Sequence, residues 1–132
     1  KILGAERAVV VHGADGLDEI STAATTFISE YNGKEVLSYE IAPEDLGIKR
    51  AREEDLKGGD PLENAGLMTL ILQGKGMRAH MDVVMLNAAF ALYAAEAAPS
   101  PREGLERVRE VMSLGKPWEK FLLFKEFSNR GQ

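Results

Sequence analysis

Three carboxylates and a histidine stand within one short segment near the start of the chain, His12-Gly13-Ala14-Asp15-Gly16-Leu17-Asp18-Glu19. The chemistry they can do is that of a hard cation. Adjacent carboxylates offer oxygen ligands, and Mg²⁺ commonly takes only one or two of them, leaving water and substrate phosphates to fill the other positions. Asp18 and Glu19 are therefore the candidate metal ligands, and the substrate such a pair suits is phosphorylated. A competing use is to cap a following helix, where acids are favoured electrostatically. Spacing alone leaves both uses open and makes capping the commoner one. His12 is either a satisfied histidine at a strand end or a hydrogen-bond donor facing a ligand.

The run in front of this segment must position it. Arg7 to His12 is almost continuously apolar and β-branched (Ala8-Val9-Val10-Val11), which predicts a strand buried on both faces, as in a parallel sheet. Open α/β sheets bind ligands beyond the carboxyl ends of such strands. Two glycines and three acids between Gly13 and Glu19 then predict a loop. Farther on, Asn32-Gly33 separates Thr25–Tyr31 from Lys34–Ile41 and predicts a hairpin with a two-residue type I′ turn. That register sets Ile28 opposite Leu37 and Thr26 opposite Tyr39 on one face, with Phe27, Tyr31 and Val36 on the other. It also sets Glu30 opposite Glu35, exposed near the turn. The expected fold is α/β: a fragment of a mixed sheet, one parallel-type strand plus a β-hairpin, packed with three to four C-terminal helices.

Residues 42–59 read as a charged loop with one helical turn, Pro43-Glu44-Asp45-Leu46, ended by Gly47. Helices follow. Asp60-Pro61-Leu62-Glu63 carries an N-cap, a proline at the first helical position and a capping-box glutamate, with a stop before Gly74. Arg78 to about Ala95 is apolar nearly all round (Met81, Val84, Met85, Ala88, Ala89, Leu92, Tyr93), the pattern of a buried helix. Ser100-Pro101-Arg102-Glu103, another capping box with proline at the first helical position, opens a third helix, striped by Leu105, Val108 and Met112 and ended by Gly115. A last helix from about Pro117 carries Trp118, Phe121, Leu122 and Phe124, of which Trp118 and Phe121 read as packing residues. Asn87 reads as a core amide tying helix to loop, and His80 as a surface residue. Gly58-Gly59-Asp60 can cradle an anion with backbone amides, but Asp60 stands where the anion would go, so an N-cap is expected there.

Composition closes off other chemistries. The chain has 132 residues, of which 45% are hydrophobic, enough for one domain's core. It has no cysteine, which excludes disulfides, thiolate metal sites and cysteine nucleophiles. Acids outnumber bases 21 to 16 for a net charge of −5, which disfavours general nucleic-acid binding. The most apolar run, residues 83–98, is interrupted by Asn87 and Glu96, so no membrane span is expected. No leader sequence is evident, and a cytoplasmic location is expected. The chain opens on Lys1-Ile2-Leu3-Gly4 without an initiator Met and enters a strand almost at once. One strand and one hairpin do not make a stable sheet. Both features lead us to expect a fragment of something longer, which would self-associate through an open strand edge and apolar patch.

Taken as a string, Val10-Val11-His12-Gly13-Ala14-Asp15-Gly16-Leu17-Asp18-Glu19-Ile20-Ser21 closely resembles the anthranilate phosphoribosyltransferase family. The resemblance continues through Leu3-Gly4-Ala5-Glu6-Arg7, Pro43-Glu44-Asp45-Leu46-Gly47 and Gly58-Gly59-Asp60-Pro61-Leu62-Glu63-Asn64-Ala65. It extends through Leu86-Asn87-Ala88-Ala89, Ala91-Leu92-Tyr93 and Ser113-Leu114-Gly115-Lys116, in the family's order and over essentially the whole chain. It implies transfer of phosphoribosyl from phosphoribosyl pyrophosphate to anthranilate, with release of pyrophosphate, in tryptophan biosynthesis. It implies Mg²⁺ as cofactor, with the family's metal-binding pair matching Asp18 and Glu19, and substrate contact at His12 and Gly13. It implies no catalytic residue within this chain.

The family's glycine-rich Gly-Thr-Gly-Gly-Asp loop, its Lys-His-Gly-Asn segment and its helical dimerisation domain are absent, and Ala24 stands where the family often has Gly. The resemblance therefore implies that residues 1–132 are the C-terminal portion of the α/β domain, inactive alone, of a parent that is a homodimer. Two alternatives share the architecture: a non-catalytic relative acting as a binding protein, and a related nucleoside phosphorylase. The intact Asp18-Glu19 pair and the negative charge argue against the first, and the run from Gly58 to Tyr93 argues against the second.

Overall fold

The computed structural model describes Ile2 and residues 4–130. Lys1 and Leu3, part of the opening and lead-in singled out above, lie outside the described residues. Three strands come first, β1 (Ala8–Gly13), β2 (Thr26–Tyr31) and β3 (Val36–Ile41). Four helices follow, α1 (Pro61–Leu72), α2 (Arg78–Ala94), α3 (Pro101–Ser113) and α4 (Lys116–Ser128). Two 3-10 turns, Pro43–Leu46 and Glu53–Leu56, lie between sheet and helices. The first was expected from its sequence; the second was not.

The α/β class holds, and what changes is the pairing of β1 within this chain, which is antiparallel rather than of the parallel type. The strands form one sheet in the order β1-β2-β3, and β1 pairs antiparallel with β2, Ala8 opposite Tyr31 and Gly13 opposite Thr26. A parallel connection needs a crossover of a dozen or more residues, usually a helix; residues 14–25 contain no helix, and the chain simply turns back. Nor is β1 buried on both faces. Val9 and Val11 are half-buried while Val10 is 65% exposed. A β-branched run reports strand propensity, not the direction of the neighbour.

The hairpin is also corrected. Its loop is Asn32 to Glu35, and Ile28 opposes Tyr39 while Tyr31 opposes Val36. The Asn32 side chain causes this: its Oδ1 accepts from Lys34 N at 3.0 Å and Glu35 N at 3.1 Å, and the Asn32 backbone N–H donates to Glu35 O. The two-residue slip preserves the faces, because side chains alternate with period two. It moves Glu30 away from Glu35 to a place opposite Leu37, and Glu30 is buried rather than exposed.

One face of the sheet rests on α2, and α2 rests on α3. Ile20, Ile28, Ile48, Leu86, Ala89, Phe90 and Leu105 form the core between them. Gly104 lets α3 approach closely, since a Cβ there would stand 2.6 Å from the Ala89 carbonyl oxygen. The helix starts follow their sequence signals. Asp60 accepts from Leu62 N and Glu63 N, and the Glu63 carboxylate accepts from Asp60 N. With those amides taken, Gly58-Gly59-Asp60 is a cap. Ser100 accepts from Glu103 N, but Glu103 bonds the Ser100 hydroxyl rather than its backbone.

Helix α2 is less enclosed than its composition suggests, with Val84 40% exposed. Conversely His80, expected at the surface, is buried, and its Nδ1 has no hydrogen-bond partner among the described residues. Trp118 and Phe121 stack on each other at 5.5 Å, while Leu122 and Phe124 of the same helix stay exposed.

Candidate functional site

The loop between β1 and β2 is shaped by a small number of side chains. At its start, Gly13 N donates to Leu17 O and Gly16 N to Gly13 O, closing a tight turn. The Asp15 carboxylate folds back across that turn, where it accepts from Ser21 Oγ at 2.5 Å and from Leu17 N at 3.4 Å. Ser21 Oγ in turn accepts from Ala23 N and Ala24 N, and Ser21 N donates to Thr26 Oγ1. Asp15 is thus part of the scaffold, and the candidate pair, Asp18 and Glu19, stands beyond it. Gly13 is buried, and a Cβ on it would run into the Asp15 carboxylate and lie 3.2 Å from Ser21 Cβ. The position needs glycine for space, whatever else it contacts.

Behind the acids the loop is tied to α2. Asn87 Oδ1 accepts from Ile20 N at 2.9 Å, and Asn87 Nδ2 donates to Ile20 O and to Val83 O, each at 2.9 Å. The expected helix-to-loop tie is therefore present, and it grips the residue next to Glu19. Ser21 carried no sequence signal beyond being a small polar residue beside the acids.

Asp18 and Glu19 are both exposed. No helix follows them; residues 20–25 are irregular chain with a bend at 22–24 leading into β2, so helix capping is not what these acids do. Among the described residues neither carboxylate has a hydrogen-bond donor or a cationic partner. The Glu19 carboxyl is pushed above the usual range, first by partial burial and then by the charges of Asp18 and Asp15. Two adjacent, unpaired carboxylates on a braced loop, in an excess of negative charge, fit a hard divalent ion that draws its remaining ligands from water and phosphate. No cluster of three or more protein ligands is found among the described residues, and Mg²⁺ does not need one.

His12, the last residue but one of β1, is exposed and stacks on Phe27 with ring centroids 6.4 Å apart. A groove of about 250 Å³ opens beside the turn, lined by Asp15, Leu17, Glu53, Leu56 and Lys57.

At the far end of the same strands lies a carboxylate that sequence reasoning misplaced. Glu30 accepts from Arg7 at 3.0 Å, Tyr39 at 3.0 Å and Tyr93 at 2.8 Å. Arg7 also lies 4.0 Å over the Tyr93 ring and 3.7 Å from Glu96. Burial raises the Glu30 carboxyl, but the bonds from Tyr93, Tyr39 and Arg7 outweigh it and hold the group below the usual range. The same contact, added to burial, pushes the Tyr39 hydroxyl well above an ordinary phenol.

Comparison with known proteins adds family context to this geometry. The family model described as glycosyl transferase family, a/b domain, matches residues 1–117. Anthranilate phosphoribosyltransferase of Acetivibrio thermocellus is 45% identical over 128 residues, which cover 96% of this chain and 36% of that protein. That of Persephonella marina is 40% identical over 130 residues, covering 98% of this chain and 38% of that protein. Among solved structures, anthranilate phosphoribosyltransferase from Thermus thermophilus superimposes with a TM-score of 0.80 at 40% identity, over 93% of this chain and 36% of that one. The Saccharomyces cerevisiae enzyme in complex with PRPP and Mg shares the fold, with a TM-score of 0.74 at 21% identity over 84% of this chain and 32% of that one. The chain thus spans a little over a third of the length of the curated relatives it matches. No helix among the described residues is long and apolar enough to cross a membrane.

Proposed function

The chain belongs to the glycosyl transferase family through its a/b domain, and from that premise we propose that it is the C-terminal portion of an anthranilate phosphoribosyltransferase. The reaction of the whole protein is transfer of phosphoribosyl from phosphoribosyl pyrophosphate to anthranilate, with release of pyrophosphate. The observation that carries this reading is the Asp18-Glu19 pair, exposed and without a partner among the described residues on a braced loop, in a chain 45% identical over nearly its full length to such an enzyme.

Asp18 and Glu19 hold the metal. Mg²⁺, when bound, supplies positive charge where negative charge builds on the departing pyrophosphate. The chain's own residues hold that position in place. Gly13, Asp15 and Ser21 close the turn, and Asn87 fixes its exit. His12, at the mouth of the loop, is the substrate-facing donor, and the Gly13 backbone lies beside it. An amine attacking an oxocarbenium-like ribose needs little activation, so catalysis here is chiefly placement and charge stabilisation. In this reading no side chain of residues 1–132 acts as acid, base or nucleophile. The glycine-rich substrate loop and the helical domain through which the parent dimerises belong to the rest of the longer protein, which works in the cytoplasm. Residues 1–132 alone are inactive and self-associate.

The test is anthranilate fluorescence with phosphoribosyl pyrophosphate and Mg²⁺, on the full-length protein with and without Asp18→Asn/Glu19→Gln. We expect turnover that falls by roughly 100-fold or more on substitution, comparable to deleting one transition-state charge contact. Full activity in the double variant would remove the metal assignment. An inactive full-length protein that instead phosphorolyses a nucleoside would replace the transferase reading.

A further inference from the structure

Ile20 joins the candidate metal ligands to the core, and how it does so is unusual. Its side chain is 1% exposed and sits in the core cluster with Ile28, Leu86 and Phe90. It belongs to no strand or helix, so no ladder takes up its backbone N–H and C=O. Buried backbone groups are almost always paired. Here one side chain pairs both: Asn87 accepts from Ile20 N and donates to Ile20 O, each at 2.9 Å. The second Nδ2 hydrogen goes to Val83 O, one turn back on α2. That bond fixes the amide's orientation, leaving Oδ1 to accept and Nδ2 to donate.

A two-point clamp differs from a single contact. It sets both the position and the rotation of the Ile20 peptide units, and the first of these units is the one that ends at Glu19. The support is a 17-residue helix whose adjacent residue, Leu86, is wholly buried. Asp15, at the start of the turn, is bonded across it to Ser21, the residue that follows Ile20. Two exposed acids with no partner among the described residues therefore take their direction from the backbone, and on the core side the backbone takes its direction from Asn87.

Resting on the reading of Asp18 and Glu19 as metal ligands, we propose that Asn87 is the positioning residue of the divalent-cation site. It sets the Asp18-Glu19 backbone through Ile20 without touching the ion. Groups that hydrogen-bond a metal's ligands cost about 10- to 100-fold in metal affinity when removed, and a clamp acting through the ligand's backbone is expected at the lower end of that range.

The experiment uses the full-length protein and Mn²⁺ as probe, reading free Mn²⁺ by electron paramagnetic resonance beside thermal unfolding. Four variants are compared: Asn87→Ala, Asn87→Gln, Asp18→Asn/Glu19→Gln, and Leu105→Val as a core control on α3. Asn87→Gln keeps the amide but lengthens it by one methylene, which covers the case in which the alanine variant does not fold. Expected are saturable Mn²⁺ binding by the unchanged protein and its loss in the double variant. Weakening by about 10-fold or more is expected in the foldable Asn87 variants. Leu105→Val should bind Mn²⁺ normally despite a lower Tm. Unchanged affinity in the Asn87 variants, or equal weakening in Leu105→Val, would overturn the positioning role while leaving the metal site standing. No saturable binding by the unchanged protein, or undiminished binding in the double variant, would overturn the metal assignment and this inference together.

Discussion

The two ends of β1 and β2 present carboxylates in opposite circumstances. At one end Glu30 is 5% exposed and holds three donors, Arg7, Tyr39 and Tyr93, drawn from the chain before β1, from β3 and from α2. At the other, Asp18 and Glu19 stand in solvent beside each other, with the Asp15 carboxylate committed to Ser21. The environments push the acids in opposite directions, Glu30 toward the ionised form and Glu19 away from it. A fold that needs a charge for its own cohesion surrounds it with donors. Adjacent carboxylates with no partner among the described residues, on a loop held this firmly, support the proposal that their charge serves a bound cation. Perturbed acids can mark either structure or function; the set of partners tells them apart.

Breaking the structural end gives the largest effect. Glu30→Ala leaves two phenols and a guanidinium without their acceptor. Removing one member of a buried charged network costs about 3–5 kcal/mol. Arg7 keeps Glu96 at 3.7 Å, which lowers the expectation here to about 2–4 kcal/mol. Chemical denaturation should show that loss, while Mn²⁺ affinity in whatever fraction remains folded stays unchanged. A Glu30→Ala protein of full stability would mean that the cluster holds nothing together.

The site end can be disturbed without touching its acids. In Gly13→Ala the new Cβ must displace the Asp15 carboxylate, and Ser21 Cβ leaves little room on the other side. Releasing Asp15 breaks its bonds to Ser21 and Leu17. Overpacking of this kind costs about 1–3 kcal/mol, and the lower half of that range is expected because the carboxylate can swing into solvent. Here stability and Mn²⁺ affinity should fall together, unlike in Glu30→Ala. A substituted protein with unaltered metal affinity would show that the turn's geometry does not matter to the acids.

The contrast between the two ends also separates what the sequence reveals from what it hides. The site end is local. His12 to Glu19 is contiguous, its glycines and acids read as a ligand loop, and even Asn87, 67 residues from Ile20, stands out as an amide on an apolar helix. The Glu30 end is not local, since its partners lie 23, 9 and 63 residues away. Nothing in the neighbourhood of Glu30 announces them. The hairpin register compounded the error, because a side-chain turn at Asn32 competes with the two-residue loop that Asn-Gly suggests. The burial of His80, in the first turn of α2, is likewise a tertiary property that its sequence neighbours do not announce. The starts of α1 and α3 were legible because their caps, Asp60 and Ser100, are written within four residues. The direction of β1 was not, because a strand's pairing partner is chosen elsewhere in the chain.

The smallest effect tests the contrast most directly, because it reads both ends in one acid titration. Glu30 has a folded pKa below its unfolded value of 4.5. Its contribution is therefore fully present above pH 4.5 and is lost as pH falls through the folded value. Glu19 has a folded pKa above 4.5. Its ionised form opposes folding at neutral pH, and that opposition disappears as pH falls through its own folded value. Acidification should thus first relieve Glu19 and then release Glu30. In Tm measured against pH, Glu19→Gln should remove the early relief, a change of about a few tenths of a kcal/mol at an exposed position. Glu30→Gln should flatten the later loss. Each substitution acts on its own limb because the two groups sit at opposite ends of the strands. Identical profiles for the two variants would mean that neither environment differs from that of an ordinary surface acid.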